Sequence, residues 1–192
     1  QGDWSSDVCS SDLVARPTPS RVRQAVMNML APHLAGSRWL DLCCGSGAMA
    51  CEALQHGAAA VVAVERDRRI AAVARANLEA VRSGLPNPAR VIVHQREVIA
   101  WLSGPGKAEA DRFDLIYADP PYRAGLYGPI AAAVAMGDWL RPHGLLILEC
   151  ASDAIPAIPA RWEPLQQRRY GGTTVLLLQL SGQLVPSMQR PA

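Results

Sequence analysis

One stretch constrains the architecture more than any other: Trp39-Leu-Asp-Leu-Cys-Cys-Gly-Ser-Gly-Ala-Met-Ala50. Leu40 and Leu42 belong to a short apolar strand with Asp41 near its end, and a loop of small residues follows. Gly45 and Gly47 flank Ser46, and Ala48 to His56 reads as a helix. A strand, a glycine turn and a helix make a ligand-binding corner. Glycines permit the tight turn and let a ligand approach backbone N–H groups at the positive end of the helix. A chain that opens with this unit builds a sheet around it.

The rest of the sequence does so. Ala60–Glu65 is a second strand, ending in an acid. Asp67 caps a helix to about Val81, with Ile70, Val73, Ala74 and Leu78 on its buried face. Arg90–His94 is a strand, Val98–Leu102 a short helix, and residues 103–112 a polar loop. Phe113–Ala118 is a strand, Tyr127–Ala135 a helix, Arg141–Gly144 a turn and Leu145–Cys150 a strand. Gly171-Gly172 joins two more strands, Leu165–Tyr170 and Thr173–Leu180, into a hairpin. Upstream, Ser20 reads as the N-cap of a helix that buries Val22, Ala25, Val26, Met29 and Leu30 and stops at Pro32. Alternating strands and helices predict a mostly parallel sheet covered on both faces. The hairpin adds an antiparallel strand at or near its edge.

At 192 residues, about half of them apolar, one domain over residues 14–182 is expected. Residues 1–13, QGDWSSDVCSSDL, are rich in Ser and Asp without hydrophobic period. They read as translated adaptor sequence outside the fold, and the tail 183–192 as disordered. No apolar run reaches membrane-spanning length and no secretory signal is visible. Five cysteines without a C-x-x-C pair read as free thiols in a reducing cytoplasm, with no metal site, and Cys43 and Cys44 as loop filler. A net charge of +2 neither demands nor excludes nucleic acid. Lys107 is the only lysine among 19 basic residues, which suits phosphate contacts or reflects a GC-rich genome.

Gly45-Ser-Gly-Ala-Met-Ala50 fits G-x-G-x-x-A, and Glu65 follows Gly45 by 20 residues, where a carboxylate can accept from ribose hydroxyls. The pair points to an adenosine-containing ligand. Asp41 before the loop suits the cationic amino-acid end of S-adenosylmethionine (SAM) and would repel a pyrophosphate. Glu97 is placed either to accept from an adenine amino group or to start a helix.

Asp119-Pro-Pro-Tyr122 is the sharpest motif. An exocyclic base amine is a poor nucleophile because its lone pair is delocalised into the ring. The Asp119 carboxylate and the Pro120 carbonyl can each accept one of its N–H bonds and aim the lone pair. Pro120 and Pro121 stiffen the loop, and Tyr122 can stack on the base. The motif serves guanine N2 or adenine N6 equally. An NAD-dependent oxidoreductase is the remaining enzyme reading, for which only the glycine pattern speaks. A module that binds RNA without turnover is the non-catalytic one.

The segments RPTPSRVRQAVMNML, LDLCCGSGAMACEAL, VVAVERD, YADPPY, LLILEC and RRYGGTTVLLLQL together resemble the RsmD family, from about Arg16 to Leu180. Those enzymes are SAM-dependent methyltransferases acting on guanine N2 in bacterial 16S ribosomal RNA. The resemblance implies the seven-stranded class I methyltransferase fold, SAM as cofactor and ribosomal RNA, free or within a 30S particle, as partner. It also implies that Arg16, Pro17 and Thr18 line the SAM site beside Gly45 to Gly47. A monomer is expected. The family usually carries a Gly- and Arg-rich hairpin before the R-P-T segment, where this chain has the adaptor-like stretch.

Overall fold

Seven strands lie in one sheet in the order β3-β2-β1-β4-β5-β7-β6, within a computed structural model that describes residues 20–87, 89–104, 112–121 and 124–182. The expectations for residues 1–13, Arg16 to Thr18, Tyr122 and the tail 183–192 fall outside the described residues.

The elements run α1 (Ser20–Leu34), β1 (Arg38–Leu42), α2 (Ala48–Gln55), β2 (Ala60–Glu65), α3 (Arg68–Ser83) and β3 (Arg90–Gln95). Then come α4 (Val98–Leu102), β4 (Phe113–Ala118), α5 (Tyr127–Met136), β5 (Leu140–Ala151), β6 (Trp162–Tyr170) and β7 (Thr173–Leu180). Strands β1 to β5 are mutually parallel, and β7 pairs antiparallel with both β5 and β6. The reversed strand therefore lies one place in from the edge, and β6 is the edge. The chain switches direction across the sheet between β1 and β4. In open α/β sheets the crevice at such a switch, at the carboxyl ends of the strands, is where ligands bind.

Two apolar layers sandwich the sheet. On one face α1, α2 and α3 bury Val26, Met27, Leu30, Leu54 and Leu78 against Trp39, Val61, Leu115 and Ile147. On the other, α4 and α5 bury Val98, Leu102, Ile130 and Val134 against Leu40, Val62, Ile116 and Leu148. No helix among the described residues is long and apolar enough to cross a membrane.

Five local expectations are corrected. Ser20 is the first residue of α1 rather than its cap, and Pro32 lies inside a helix that continues to Leu34. Leu34 is fully buried, and that burial carries the chain a turn past the proline. Residues 141–144 do not precede β5 but bulge within it, because Phe113 pairs with Leu140 and Leu115 with Leu145. His143 takes a left-handed φ of 64° there. Val73 is half exposed, and Met29 is only half-buried. The buried stripe of α3 keeps Ala74 and Leu78 of the predicted face and takes Ala71 in place of Ile70 and Val73.

Candidate active site

The glycine corner is built by backbone geometry that few side chains accept. Cys43, Gly45 and Gly47 all have positive φ, 62°, 54° and 80°. The Cys44 N–H reaches the Val64 carbonyl at 3.0 Å, and the Gly47 N–H returns to the Cys44 carbonyl at 2.9 Å. A Cβ on Gly47 would lie 3.4 Å from the Ala74 Cβ, so this glycine also lets α2 start against α3. A Cβ on Gly45 would meet nothing within 4 Å, so this face of the loop is open. Ser46 is exposed at the loop's tip. Asn77 of α3 donates to the Ser46 carbonyl at 3.0 Å and pins the loop from below.

Glu65 closes the corner from β2. Its Oε2 accepts from the Gly45 N–H at 3.0 Å and its Oε1 from the Asp67 N–H at 2.9 Å. Glu97 accepts from the N–H groups of Ile99 and Ala100 at 3.0 and 2.7 Å, so it caps α4 with both oxygens. Of its two sequence readings, the helix-start acid describes this geometry.

Asp41 is 1% exposed, and its Oδ2 is a buried oxygen with no hydrogen-bond partner among the described residues. Burial first, then the Asp119 charge, raises its pKa well above the usual carboxylate range, against an opposing hydrogen bond from the Ala50 backbone. A buried, unpartnered carboxylate oxygen is costly. A cationic group placed there would offset that cost, and a pyrophosphate would add to it.

Beyond the end of β4, Asp119 is half-buried, Pro120 buried and Pro121 exposed. The Pro121 carbonyl accepts from the Ala124 N–H at 2.9 Å, which turns the loop back towards α5. Two residues the sequence reading missed hold this end. The Tyr127 hydroxyl lies 2.9 Å from the Glu149 carbonyl and 3.4 Å from the Pro120 carbonyl, so it ties the loop to β5. The Tyr117 hydroxyl donates to the Glu149 carboxylate, itself 1% exposed. Burial raises the Glu149 pKa, with the Tyr117 bond opposing. Burial, followed by the Glu149 charge, raises that of Tyr117. An acid ending an apolar strand is the sequence signature Glu149 shares with Glu65.

Asp41, Glu65, Asp119 and Glu149 thus gather at the carboxyl ends of neighbouring strands, a concentrated negative field. The same field, after burial, pushes the Cys43 thiol up to about 12 and raises Cys44 further. Neither is a thiolate nucleophile at neutral pH. Among the described residues no group of three or more His, Cys, Asp or Glu could hold a metal ion.

The family model described as Conserved hypothetical protein 95 matches residues 8–179. The chain belongs to this family. It is similar to the Ribosomal RNA small subunit methyltransferase D of Escherichia coli K12, 30% identical over 88% of this chain and 81% of the relative. The protein of the same name from Haemophilus influenzae is 29% identical over 85% and 82%. The solved structure of Escherichia coli yhhF superposes with a TM-score of 0.73 at 28% identity, covering 87% of this chain and 89% of that one. The seven-stranded sheet with its antiparallel β5-β7-β6 end is the class I methyltransferase fold expected from the resemblance.

Proposed function

We propose that this chain is a SAM-dependent methyltransferase that modifies the exocyclic N2 amine of a guanine in bacterial 16S ribosomal RNA. The observation that carries the reading is the pairing of two features at one end of the sheet. The Asp119 carboxylate and the Pro120 carbonyl stand beyond β4, and the buried Asp41 carboxylate lies one residue before the end of β1, paired with Tyr117 of β4. The relatives named as ribosomal RNA methyltransferases support the substrate class.

SAM, when bound, supplies a methyl group on a positively charged sulfur. Asp41 would hold its ammonium group, and the open face of Gly45 and the Gly45–Gly47 loop would pass under it. Glu65 would exchange its bonds to the loop for the ribose hydroxyls. Arg16, Pro17 and Thr18 are assigned to the same site by resemblance, and Glu97 to its adenine end, where its capping bonds compete. The negative field that suits this cation disfavours the pyrophosphate of NAD.

Asp119 and Pro120 would accept the two N–H bonds of the target amine and aim its lone pair at the methyl carbon. Tyr122 is assigned to stack on the base. As the amine accepts the methyl group that bound SAM would supply, positive charge would develop on its nitrogen. Asp119 stabilises that charge more than it stabilises the ground state, and the surplus proton then leaves to solvent. A target within paired RNA must first be turned out of its stack.

Asp119→Ala should fold and bind SAM while losing methyl transfer by about 10²-fold, which is about 2.7 kcal/mol on the barrier. Single-turnover methylation of 16S ribosomal RNA at saturating SAM measures this, with folding checked by circular dichroism. Near-normal turnover from a folded variant would sink the mechanism. Mapping the product nucleotide separates guanine N2 from adenine N6.

A further inference from the structure

The edge strand β6 ends in Arg168-Arg169-Tyr170, and the Gly171-Gly172 turn returns the chain into β7. Ala151 pairs with Thr173 and Thr173 with Tyr170, so this turn lies at the same end of the sheet as the carboxyl end of β5. Arg168 pairs with Val175, Val175 with Glu149, and Leu148 with Ala118, the residue before Asp119. Glu149, Val175 and Arg168 therefore form one row across β5, β7 and β6, and Asp119 follows Ala118, the last paired residue of β4, beside that row. Directly paired residues share a face of the sheet. Arg168 thus stands on the Glu149 side, three strand spacings or about 14 Å from Asp119.

Both arginines are exposed, and neither forms an ion pair among the described residues. Arg169 donates from Nε to the Gly171 carbonyl at 3.0 Å. That bond holds the side chain against the turn and leaves the four N–H bonds of its terminal nitrogens, since a guanidinium has five. Half-buried Tyr170 packs against the α1-side core and anchors the strand end behind them.

We propose that Arg168 and Arg169 form a docking edge for RNA phosphates flanking the target nucleotide. The proposal rests on the reading of the site as an RNA methyltransferase. Charge complementarity carries it. A polyanion must place one base in the proposed site, where the partly exposed carboxylates of Glu65 and Asp119 repel its backbone. Cationic contacts are needed beside that site rather than in it. Arg168, about 14 Å along the row from Asp119, and Arg169, on the opposite face of the same exposed edge beside the turn, stand where the backbone leading away from a turned-out base would pass. Arginine grips phosphate bidentately, which a lysine edge would not do. The alternative role for charge on an edge strand is to block edge-to-edge association of sheets.

The test uses the full chain with Arg168→Ala/Arg169→Ala, and 16S ribosomal RNA transcript as the probe. RNA affinity should fall about tenfold. The slope of log affinity against log salt should flatten by about 1.4, at about 0.7 per lost contact to a single strand. KM for RNA should rise about tenfold, with kcat at saturating RNA and SAM affinity unchanged. Arg168→Lys/Arg169→Lys guards against misfolding and should keep most of the salt slope while losing part of the affinity. Arg82→Ala, which removes an exposed pair with Glu79, should change neither. Affinity and slope within twofold of wild type would overturn the docking edge, whether or not the variant aggregates as an unguarded edge would. Should wild type bind the transcript but methylate neither it nor 30S particles, the site reading fails, and the double variant's affinity and salt slope alone decide the docking edge. Should wild type bind no RNA, both fail.

Discussion

Tyr127 illustrates how one hydroxyl can set the direction of a proposed acceptor, the Pro120 carbonyl, from outside the proposed reaction. Its single proton is shared between the Glu149 carbonyl at 2.9 Å and the Pro120 carbonyl at 3.4 Å. Pro120 is buried and rigid, but the direction of its carbonyl depends on where the loop is held. Tyr127→Phe keeps the ring in the α5-side core and removes only the tether. We expect kcat to fall about 3- to 10-fold, roughly 0.7–1.4 kcal/mol, the scale of one neutral hydrogen bond. SAM affinity and the far-ultraviolet circular dichroism spectrum should not move. Equal losses in kcat and in SAM affinity would indicate a packing defect instead.

At the scale of elements, the glycine corner links local backbone to the contact between α2 and α3. Gly47 needs its left-handed φ of 80°, and Ala74 sits 3.4 Å from where its Cβ would be. Gly47→Ala should therefore cost about 1–2 kcal/mol from the backbone alone. A urea denaturation midpoint lowered with unchanged slope would register it, and a midpoint equal to wild type would contradict it. The elements themselves were largely legible. Strand β2 and helix α4 match their sequence bounds because a run of apolar β-branched residues, or a capping acid before an apolar turn, marks them locally. The errors arose where tertiary packing overrode local chemistry, at Pro32 inside α1 and at the bulge of residues 141–144 within β5. In the site, Asp41, Gly45, Gly47, Glu65 and Asp119 were readable because backbone conformation or strand-end position singles out their type. Tyr127, Tyr117 and Glu149 were not, because their partners lie 7 to 32 residues away and meet only when the sheet assembles.

Across the whole molecule, the gathered carboxylates make stability depend on pH. Asp41 titrates well above its ordinary value because burial and Asp119 disfavour its charged form. The stability this shift contributes is fully present below the unfolded pKa of about 3.9 and is lost as pH rises through the raised folded value. Asp41→Asn is neutral throughout, so its melting temperature relative to wild type should climb as pH rises above about 4. Each kcal/mol of that difference moves the melting temperature by about 2–4 °C in a chain of this size. A difference that stays constant with pH would remove Asp41 from this role. The strand order has a consequence of another kind. Strand β1 pairs with both β2 and β4, and Arg38 meets Asp114 across a separation of 76 residues. Synthesised from the N-terminus at about 5–20 residues per second, β1 waits roughly 4–15 s for that neighbour. During that interval the emerging half-sheet presents a bare, apolar strand to its surroundings. The corner proposed to hold the cofactor is complete in sequence before the proposed amine acceptors exist, so a nascent chain halted before residue 113 is a candidate for chaperone capture rather than a smaller enzyme.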